Sequence, residues 1–171
     1  MPRPRRAEGF TLIELTIVIV VVSIAAYLFV GMFVQAVQSY QFIDVEKELL
    51  QEARYAEERI LRELKRVRGN TDITAATAST FTFIDRDAAP VSFSWTGVQG
   101  DPLIYTKSGT PRTLANGVDS LAFTYWREDG TAAVPIVSPQ ATDIWRIAVY
   151  LRLAKGGQNV ASSSAVFVRS L

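Results

Sequence analysis

The uncharged apolar run over residues 15–34 limits the possible folds of this chain more than any other feature. At about 1.5 Å per residue in a helix, the run is long enough to cross a hydrocarbon core about 30 Å thick. Glu14 lies immediately before it. Because an isolated charge costs roughly 2.5–3.5 kcal/mol at the centre of an inserted helix, an acid at this place is a candidate functional residue.

Positive charge precedes the apolar run, at Arg3, Arg5 and Arg6. By the positive-inside rule, the N-terminus stays in the cytoplasm and the chain after residue 34 is exported. A cleaved secretory signal would place small residues after its apolar core, whereas here Gly9 comes before it. The sequence therefore predicts one membrane span that is retained.

After residue 34 the sequence keeps a helical period and becomes amphipathic. Apolar residues recur at steps of three and four, and an acidic and basic face lies opposite them, including the i,i+4 pair Glu58 and Arg62. No proline interrupts residues 10–68, and Gly69 is suited to a left-handed cap. We predict one helix over residues 10–68, whose apolar stripe is Leu49, Ala53, Ala56, Ile60, Leu64 and Val67.

Beyond residue 70, short β-branched and aromatic runs alternate with turn residues. Residues 80–84 and 91–95 flank a turn-like segment and predict a hairpin. In the segment 144–153, Trp145 shares one face with Ile147, Val149 and the two following apolar positions, which predicts a strand with one buried side. We expect further strands at 103–107, 121–127 and 165–169, and a loop over 132–143.

These elements predict an α+β fold in which the long N-terminal helix packs on an antiparallel β-sheet. The first half of the helix spans the membrane, and its amphipathic second half buries its stripe on the sheet. The expected divisions are a basic leader (1–9), a membrane-spanning helix (10–34), its amphipathic continuation (35–68) and an exported β-rich head (69–171).

Composition excludes several classes of function. The chain has no cysteine and no histidine, which removes disulfides, thiol chemistry, Cys/His zinc sites and histidine acid–base catalysis. After residue 34 the basic and acidic residues balance at 15 each, so the exported part has no excess charge for binding nucleic acid. We expect no cofactor and no metal.

The segment Gly9-Phe10-Thr11-Leu12-Ile13-Glu14-Leu15, behind a short basic leader, resembles the processing site of type IV prepilins and type II secretion pseudopilins. The resemblance implies the pilin fold, cleavage after Gly9 by a prepilin peptidase and N-methylation of Phe10. It also implies a structural role in a filament, without enzyme activity, in which Glu14 serves assembly. Its expected partners are other pilins or pseudopilins, the peptidase and an assembly platform of the bacterial inner membrane.

Residues 113–125 look like a head segment of J-type minor pseudopilins and W-type minor pilins. Features of major subunits are missing: a proline about twenty residues into the mature helix, where Gly31 lies nearby, paired C-terminal cysteines and a calcium loop. These departures favour a minor subunit near a filament tip. The alternative is a plain signal anchor that carries a binding or sensor domain and never polymerises.

Three groups of residues in the head and helix have a structural and a functional interpretation. Trp95, Trp126 and Trp145 favour core positions over a recognition surface. Two acid pairs are typical of turns rather than of acid–base catalysis. Four basic residues near the helix end favour a solvated face over a DNA-binding patch. The acid pairs are Asp85 with Asp87 and Glu128 with Asp129, and the basic residues are Arg62, Lys65, Arg66 and Arg68.

Overall fold

The structure is a computed structural model that describes residues 11–133, 136–137 and 143–168. One helix, α1, runs over Leu12–Leu64 and contains 53 residues. The chain divides into two compact units, the first ending at Ile43 and the second beginning at Asp44. The first unit is described by its part of α1, and the second contains the rest of α1 and all of the strands.

The part of α1 in the first unit is apolar all round. An 18-residue window of α1 has a mean hydropathy of 2.8, and none of that window is buried. By length and composition, α1 is the one helix among the described residues that is able to cross a membrane. It passes Gly31 without a break.

In its described residues, the second unit contains ten strands and a short 3-10 helix over Asn70–Asp72. The strands, numbered in chain order, are β1 Ile73–Ala76, β2 Thr80–Ile84, β3 Pro90–Ser94, β4 Leu103–Lys107, β5 Thr110–Ala115, β6 Val118–Trp126, β7 Ala132–Ala133, β8 Ile136–Val137, β9 Arg146–Lys155 and β10 Gln158–Phe167.

These strands form two antiparallel sheets. The six-stranded sheet has the order β5-β4-β3-β2-β1-β8, so β1 to β5 follow one another as a meander. The four-stranded sheet has the order β10-β9-β6-β7, and β9 pairs with β10 over their full ten-residue lengths. Sequence analysis predicted one sheet, and the described strands divide between two.

The core of the second unit joins α1 to both sheets. Leu49, Ala53, Ala56, Ile60 and Leu64 are almost completely buried, as their spacing predicted. They belong to the same apolar cluster as the inner faces of β2 and β3 and of β6 and β9. Alternation produces these inner faces, because every second residue of a strand points to the same side. The α+β arrangement of a long helix packed with antiparallel sheets is confirmed.

The strands with clear alternation occur where they were predicted. β2 and β4 have the predicted bounds, and β2 pairs with β3 as a hairpin. β6 and β9 occur with bounds shifted by a few residues, whereas β10 begins seven residues before the predicted strand at 165–169 and overlaps it only at residues 165–167. Residues 134–135 and 138–142 of the expected 132–143 loop lie outside the described residues, while β7 and β8 form short pairings within it.

Two local predictions were wrong. Gly69 is extended, with φ of −174°, and α1 ends earlier through tight turns in which Arg66 N–H donates to Glu63 C=O and Val67 N–H donates to Leu64 C=O. Trp145 precedes β9 and is 43% exposed, so it does not share the buried face of Ile147 and Val149. Its ring instead packs edge-on against Phe167 at a centroid distance of 4.6 Å.

The surroundings of Gly117 predict that an alanine there destabilises the fold more than an alanine at another glycine with a positive φ. A Cβ at Gly117 would lie 2.7 Å from the Ala154 carbonyl oxygen, and φ is +60°. We expect Gly117→Ala to lower the free energy of unfolding by about 2–4 kcal/mol, because left-handed strain and a backbone clash add together. Urea unfolding of the full chain in detergent micelles measures the difference.

The matched control is Gly97→Ala. Gly97 also has a positive φ, of +85°, but no atom lies within 4 Å of the added Cβ. Only the conformational cost applies, so the expected loss is about 1 kcal/mol. Equal losses for the two variants would contradict the close approach of the turn at Gly117 to β9.

Candidate functional site

The predicted processing residues Gly9 and Phe10 lie outside the described residues, and the description begins at Thr11, directly after them. The Thr11 hydroxyl oxygen accepts a hydrogen bond from the Glu14 backbone N–H at 3.3 Å. The Thr11 carbonyl accepts one from Leu15 N–H at 3.2 Å. Thr11 therefore caps the N-terminus of α1 and satisfies one of its free donors.

The cap gives residues 11–14 a local role that the sequence interpretation missed. Ser or Thr followed three residues later by Glu or Gln is the sequence signature of a capping box, and Thr11 and Glu14 have this spacing. The pattern was therefore available in the sequence. It fixes where α1 begins and thereby places the Glu14 side chain in the first helical turn.

The Glu14 carboxylate is exposed. It is the one charged side chain between Leu12 and Ile43. Within residues 11–133, 136–137 and 143–168, no cation or hydrogen-bond donor contacts its oxygen atoms. In an apolar medium such a carboxylate is stabilised by a cationic partner.

The hydroxyl groups in the apolar part of α1 are satisfied within the helix itself. Thr16 donates to the Ile13 carbonyl at 2.8 Å, Ser23 to Ile19 at 2.7 Å and Ser39 to Gln35 at 3.0 Å. A membrane-spanning helix needs its polar groups paired internally, because lipid offers no hydrogen bonds. Glu14 therefore differs from these hydroxyls in needing a partner from elsewhere.

A second polar cluster joins the C-terminal end of α1 to the six-stranded sheet. Asp85 follows β2 and is fully buried. Its Oδ2 accepts a hydrogen bond from Lys107 Nζ at 2.6 Å and lies 3.3 Å from Arg66, which follows the end of α1 by two residues. Its Oδ1 accepts hydrogen bonds from the backbone N–H groups of Asp87 and Ala89 at 2.9 and 3.0 Å.

Glu63 extends this cluster along α1. Its carboxylate is nearly buried, pairs with Arg59 at 2.9 Å and accepts a hydrogen bond from the Tyr105 hydroxyl at 3.0 Å. Arg59 also lies over the Tyr105 ring, 4.9 Å from its centroid. The predicted solvated helix face is therefore wrong for Glu63, which faces β4 because it follows the buried Ile60 by three residues.

The cluster holds Asp85 ionised. Burial alone would raise the pKa of the Asp85 carboxyl, but the hydrogen bonds from Lys107 and from the backbone of Ala89 and Asp87 outweigh burial and lower this pKa to about 2. The hydrogen bond to Asp85 likewise raises the pKa of Lys107. Both groups are thus fixed in their charged forms, an arrangement that positions chain segments.

The remaining sequence candidates are scattered. Trp95 is partly buried against the core, and Arg146 lies over the Trp126 ring at 4.9 Å, while Trp145 is exposed. Asp129 accepts hydrogen bonds from Thr131 within its turn. No group of three acidic, His or Cys side chains in the described part of the chain is arranged to hold a metal ion.

The four basic residues near the end of α1 do not act as one patch. Arg66 pairs with the buried cluster and with Asp87, and Arg68 makes two hydrogen bonds to Asp72, at 2.9 and 3.0 Å. The predicted Glu58–Arg62 ion pair does not form among the described residues; within α1, Arg59 pairs with Glu63 at this spacing.

Comparison with known proteins bears on the N-terminal segment. Residues 4–26 match the family model of the prokaryotic N-terminal methylation motif. The match includes Gly9, Phe10 and Glu14 and leaves the strands outside it. No curated protein matched the chain.

The match and the apolar helix together support a type IV pilin-like protein that is anchored in a membrane by a single span. Proteins of this kind are processed by a prepilin peptidase, interact with other pilin subunits and are structural rather than enzymatic. The functional residues that the motif indicates therefore lie at the N-terminal end of α1.

The lowered pKa of Asp85 predicts that the folded chain loses stability in acid. Because its pKa is lower in the folded chain than in the unfolded one, its contribution is complete above about pH 4 and is lost as the pH falls through about 2. We expect Asp85→Asn to lower the free energy of unfolding at pH 7 by about 2–3 kcal/mol, since it removes the buried negative charge that pairs with Lys107 and Arg66. Urea unfolding of the full chain in micelles between pH 2 and 7 measures both effects.

Asp87→Asn is the control, because Asp87 also pairs with Arg66 but its side chain is 71% exposed. An exposed pair contributes about 0–1 kcal/mol, so this variant retains the steep loss below pH 4. An unchanged acid dependence in Asp85→Asn would show that other carboxylates cause it.

Proposed function

We propose that this chain is a minor subunit of a type II secretion pseudopilus or a type IV pilus, located near the filament tip. In this role the chain sits in the bacterial inner membrane with its N-terminus in the cytoplasm and residues 69–171 exported. The peptidase cleaves after Gly9, and Phe10 becomes the methylated N-terminus. The observation that carries the proposal is an exposed carboxylate, without a partner among the described residues, at the start of an apolar helix whose first part lies within the match to the methylation motif.

Processing gives Glu14 a cationic counterpart. Cleavage removes Arg3, Arg5 and Arg6 and leaves an amine on Phe10, four residues before Glu14. Along a helix this separation is about 6 Å, so each subunit carries a cation and an anion that are offset by that distance along the helix axis. The Phe10 amine of an incoming subunit then meets the Glu14 carboxylate of a neighbour within the filament.

The ion pair defines the axial position of each helix. An uncompensated buried charge costs roughly 3–5 kcal/mol, so registers that leave Glu14 unpaired are disfavoured. The exposed side chains of residues 12–43 supply contact area but little positional information, since most of them are aliphatic. Apolar contacts therefore hold the helices together, and the amine–carboxylate pair selects one alignment.

The proposed minor role rests on the departures from major subunits and on the likeness of residues 113–125 to J-type and W-type proteins. The competing function is an anchored binding or sensor domain that does not polymerise. The two differ in whether native membranes contain the chain in a complex with other subunits that carry the methylation motif. Co-purification from membranes after mild cross-linking separates them and identifies the apparatus.

The mature chain is predicted to begin at Phe10 and to carry one added methyl group. Cleavage after Gly9 releases the amine, and methylation keeps it a cation. Intact-mass analysis of the chain extracted from its native membrane measures both changes. Gly9→Val supplies the unprocessed reference, and retention of residues 1–9 in the natural chain would contradict the proposal.

Glu14→Val is predicted to leave membrane insertion and cleavage intact and to lower incorporation into complexes with natural neighbours by at least about tenfold, through loss of the ion pair. The measurement is the fraction of the chain in cross-linked complexes, by quantitative immunoblot.

Thr16→Val is the matched control, because it places the same side chain in the same helix and removes only a hydroxyl bonded to Ile13. We expect its incorporation to stay within about twofold of the natural chain. Normal incorporation of Glu14→Val would exclude the pairing mechanism while leaving the processing prediction untouched.

A further inference from the structure

One sheet edge in the second unit differs from the other three. β10 is the outer strand of the four-stranded sheet, is ten residues long and pairs on one side with β9. Along the part of the chain that the structure describes, no strand pairs with its other side. The remaining edges are short or interrupted: β7 and β8 have two residues each, and β5 contains Pro111 and Arg112.

β10 lacks the usual protection of an edge strand. Its sequence, Gln-Asn-Val-Ala-Ser-Ser-Ser-Ala-Val-Phe, contains no charge and no proline. Proteins usually protect long edges with lysine, proline or bulges, because free N–H and C=O groups attract another strand. The pairing with β9 is regular over all ten residues, so no bulge bends the edge away.

Two observations identify which backbone groups of β10 face outward. A two-residue turn, Gly156-Gly157 with both φ values positive, joins β9 to β10, and such a turn makes Lys155 and Gln158 a hydrogen-bonded pair. Val168 N–H donates to the Trp145 carbonyl at 2.8 Å in the same register. Even-numbered residues therefore bond to β9, and the outward groups belong to Asn159, Ala161, Ser163, Ala165 and Phe167.

The inner face of β10 leaves apolar surface beside this edge. Val160 of β10 and Leu61 of α1 are only partly buried against the core. Ser162 donates a hydrogen bond to Glu57, which places this turn of α1 alongside β10. A further strand on the edge would cover Val160 and Leu61 with every second side chain.

A cationic recess of about 470 Å³ lies at the Phe167 end of the edge. Lys65, Arg68 and Arg86 line it together with Val67 and residues 165–167. Arg68 is paired with Asp72, whereas Lys65 and Arg86 contact no acid among the described residues. The half-exposed Phe167, stacked edge-on with Trp145, adds an aromatic wall.

We propose that the β10 edge and this recess together bind an extended segment of a different polypeptide as an added strand. The segment has apolar residues at alternate positions, which cover Val160 and Leu61, and an acidic group at the end that lies in the recess. Main-chain hydrogen bonds to the outward groups give affinity, and the acid fixes the direction. This inference uses residues 57–168 and does not depend on processing or on filament assembly.

Charge complementarity favours another polypeptide over a second copy of this chain. Antiparallel pairing of two β10 strands would place Gln158 and Asn159 of one copy near Phe167 of the other. Neither residue carries a negative charge, so the cations at Lys65 and Arg86 would stay unpaired.

The first test selects phage-displayed random twelve-residue peptides on the purified full chain in detergent micelles. Selected peptides should show apolar residues two apart and an acid at one end. Ser163→Pro removes one outward N–H without touching the β9 pairing and should raise the Kd of a selected peptide at least about tenfold. Ser163→Ala keeps that N–H and should change the Kd by less than about twofold. Fluorescence anisotropy measures these constants.

The second test addresses the recess. Lys65→Gln with Arg86→Gln should weaken an acidic selected peptide about tenfold and leave its Asn/Gln counterpart unchanged. Arg112→Gln, at the edge of the other sheet, is the control and should change neither affinity.

Amide hydrogen exchange supplies a readout that needs no variant. Bound peptide should slow exchange at residues 159, 161, 163, 165 and 167. Peptides that bind without this protection, or that bind Ser163→Pro unchanged, would overturn the proposal, as would a selection that yields none. A dimer in native mass spectrometry that Ser163→Pro abolishes would assign the edge to a second copy instead.

Discussion

The fold of the second unit depends on the contact between α1 and the two sheets. The buried stripe of α1 contains two alanines, Ala53 and Ala56, which are completely buried in the same apolar cluster as the inner faces of the strands. Polar contacts fix the helix to each sheet: Tyr105 of β4 to Glu63, and Ser162 of β10 to Glu57. Neither sheet has another helix against which to bury its apolar face among the described residues.

The polar groups of the chain are satisfied in two contrasting ways. In the second unit, buried carboxylates such as Asp85 have intramolecular cations and backbone donors, which repay the cost of removing them from water. In the apolar part of α1, hydroxyl groups bond to their own helix, and Glu14 keeps its carboxylate free among the described residues. The need of a desolvated polar group for a partner is therefore met within the second unit, whereas in the first unit the Glu14 carboxylate has no partner among the described residues.

Sequence periodicity predicted the parts of this fold in which one face is buried. The stripe of α1 and the bounds of β2 and β4 follow from spacing alone. β1 and β5 were missed, because Ile-Thr-Ala-Ala and a segment with Pro111 lack the alternating aromatic pattern. Gly69 shows a different limit, since a glycine permits a left-handed cap without requiring one.

The candidate sites were predictable to different degrees. Glu14 was conspicuous, because a lone acid beside an apolar run is expensive. The capping pattern of Thr11 with Glu14 was present in the sequence and overlooked. The burial of Asp85 could not be read from the sequence, because Lys107 reaches it across β3 only once β2, β3 and β4 are aligned in register. Turn-like composition gives no information on that alignment.

The two-residue turn between β9 and β10 has a consequence for how this surface can change over generations. It fixes the parity of β10, so the even-numbered side chains contact the interior while the odd-numbered ones carry both the outward backbone groups and the exposed side chains. Substitutions at positions 159, 161, 163 and 165 therefore change the exposed side chains along the edge without disturbing the core. Along β10, the residues that maintain the fold therefore alternate with the residues that are able to change its contacts.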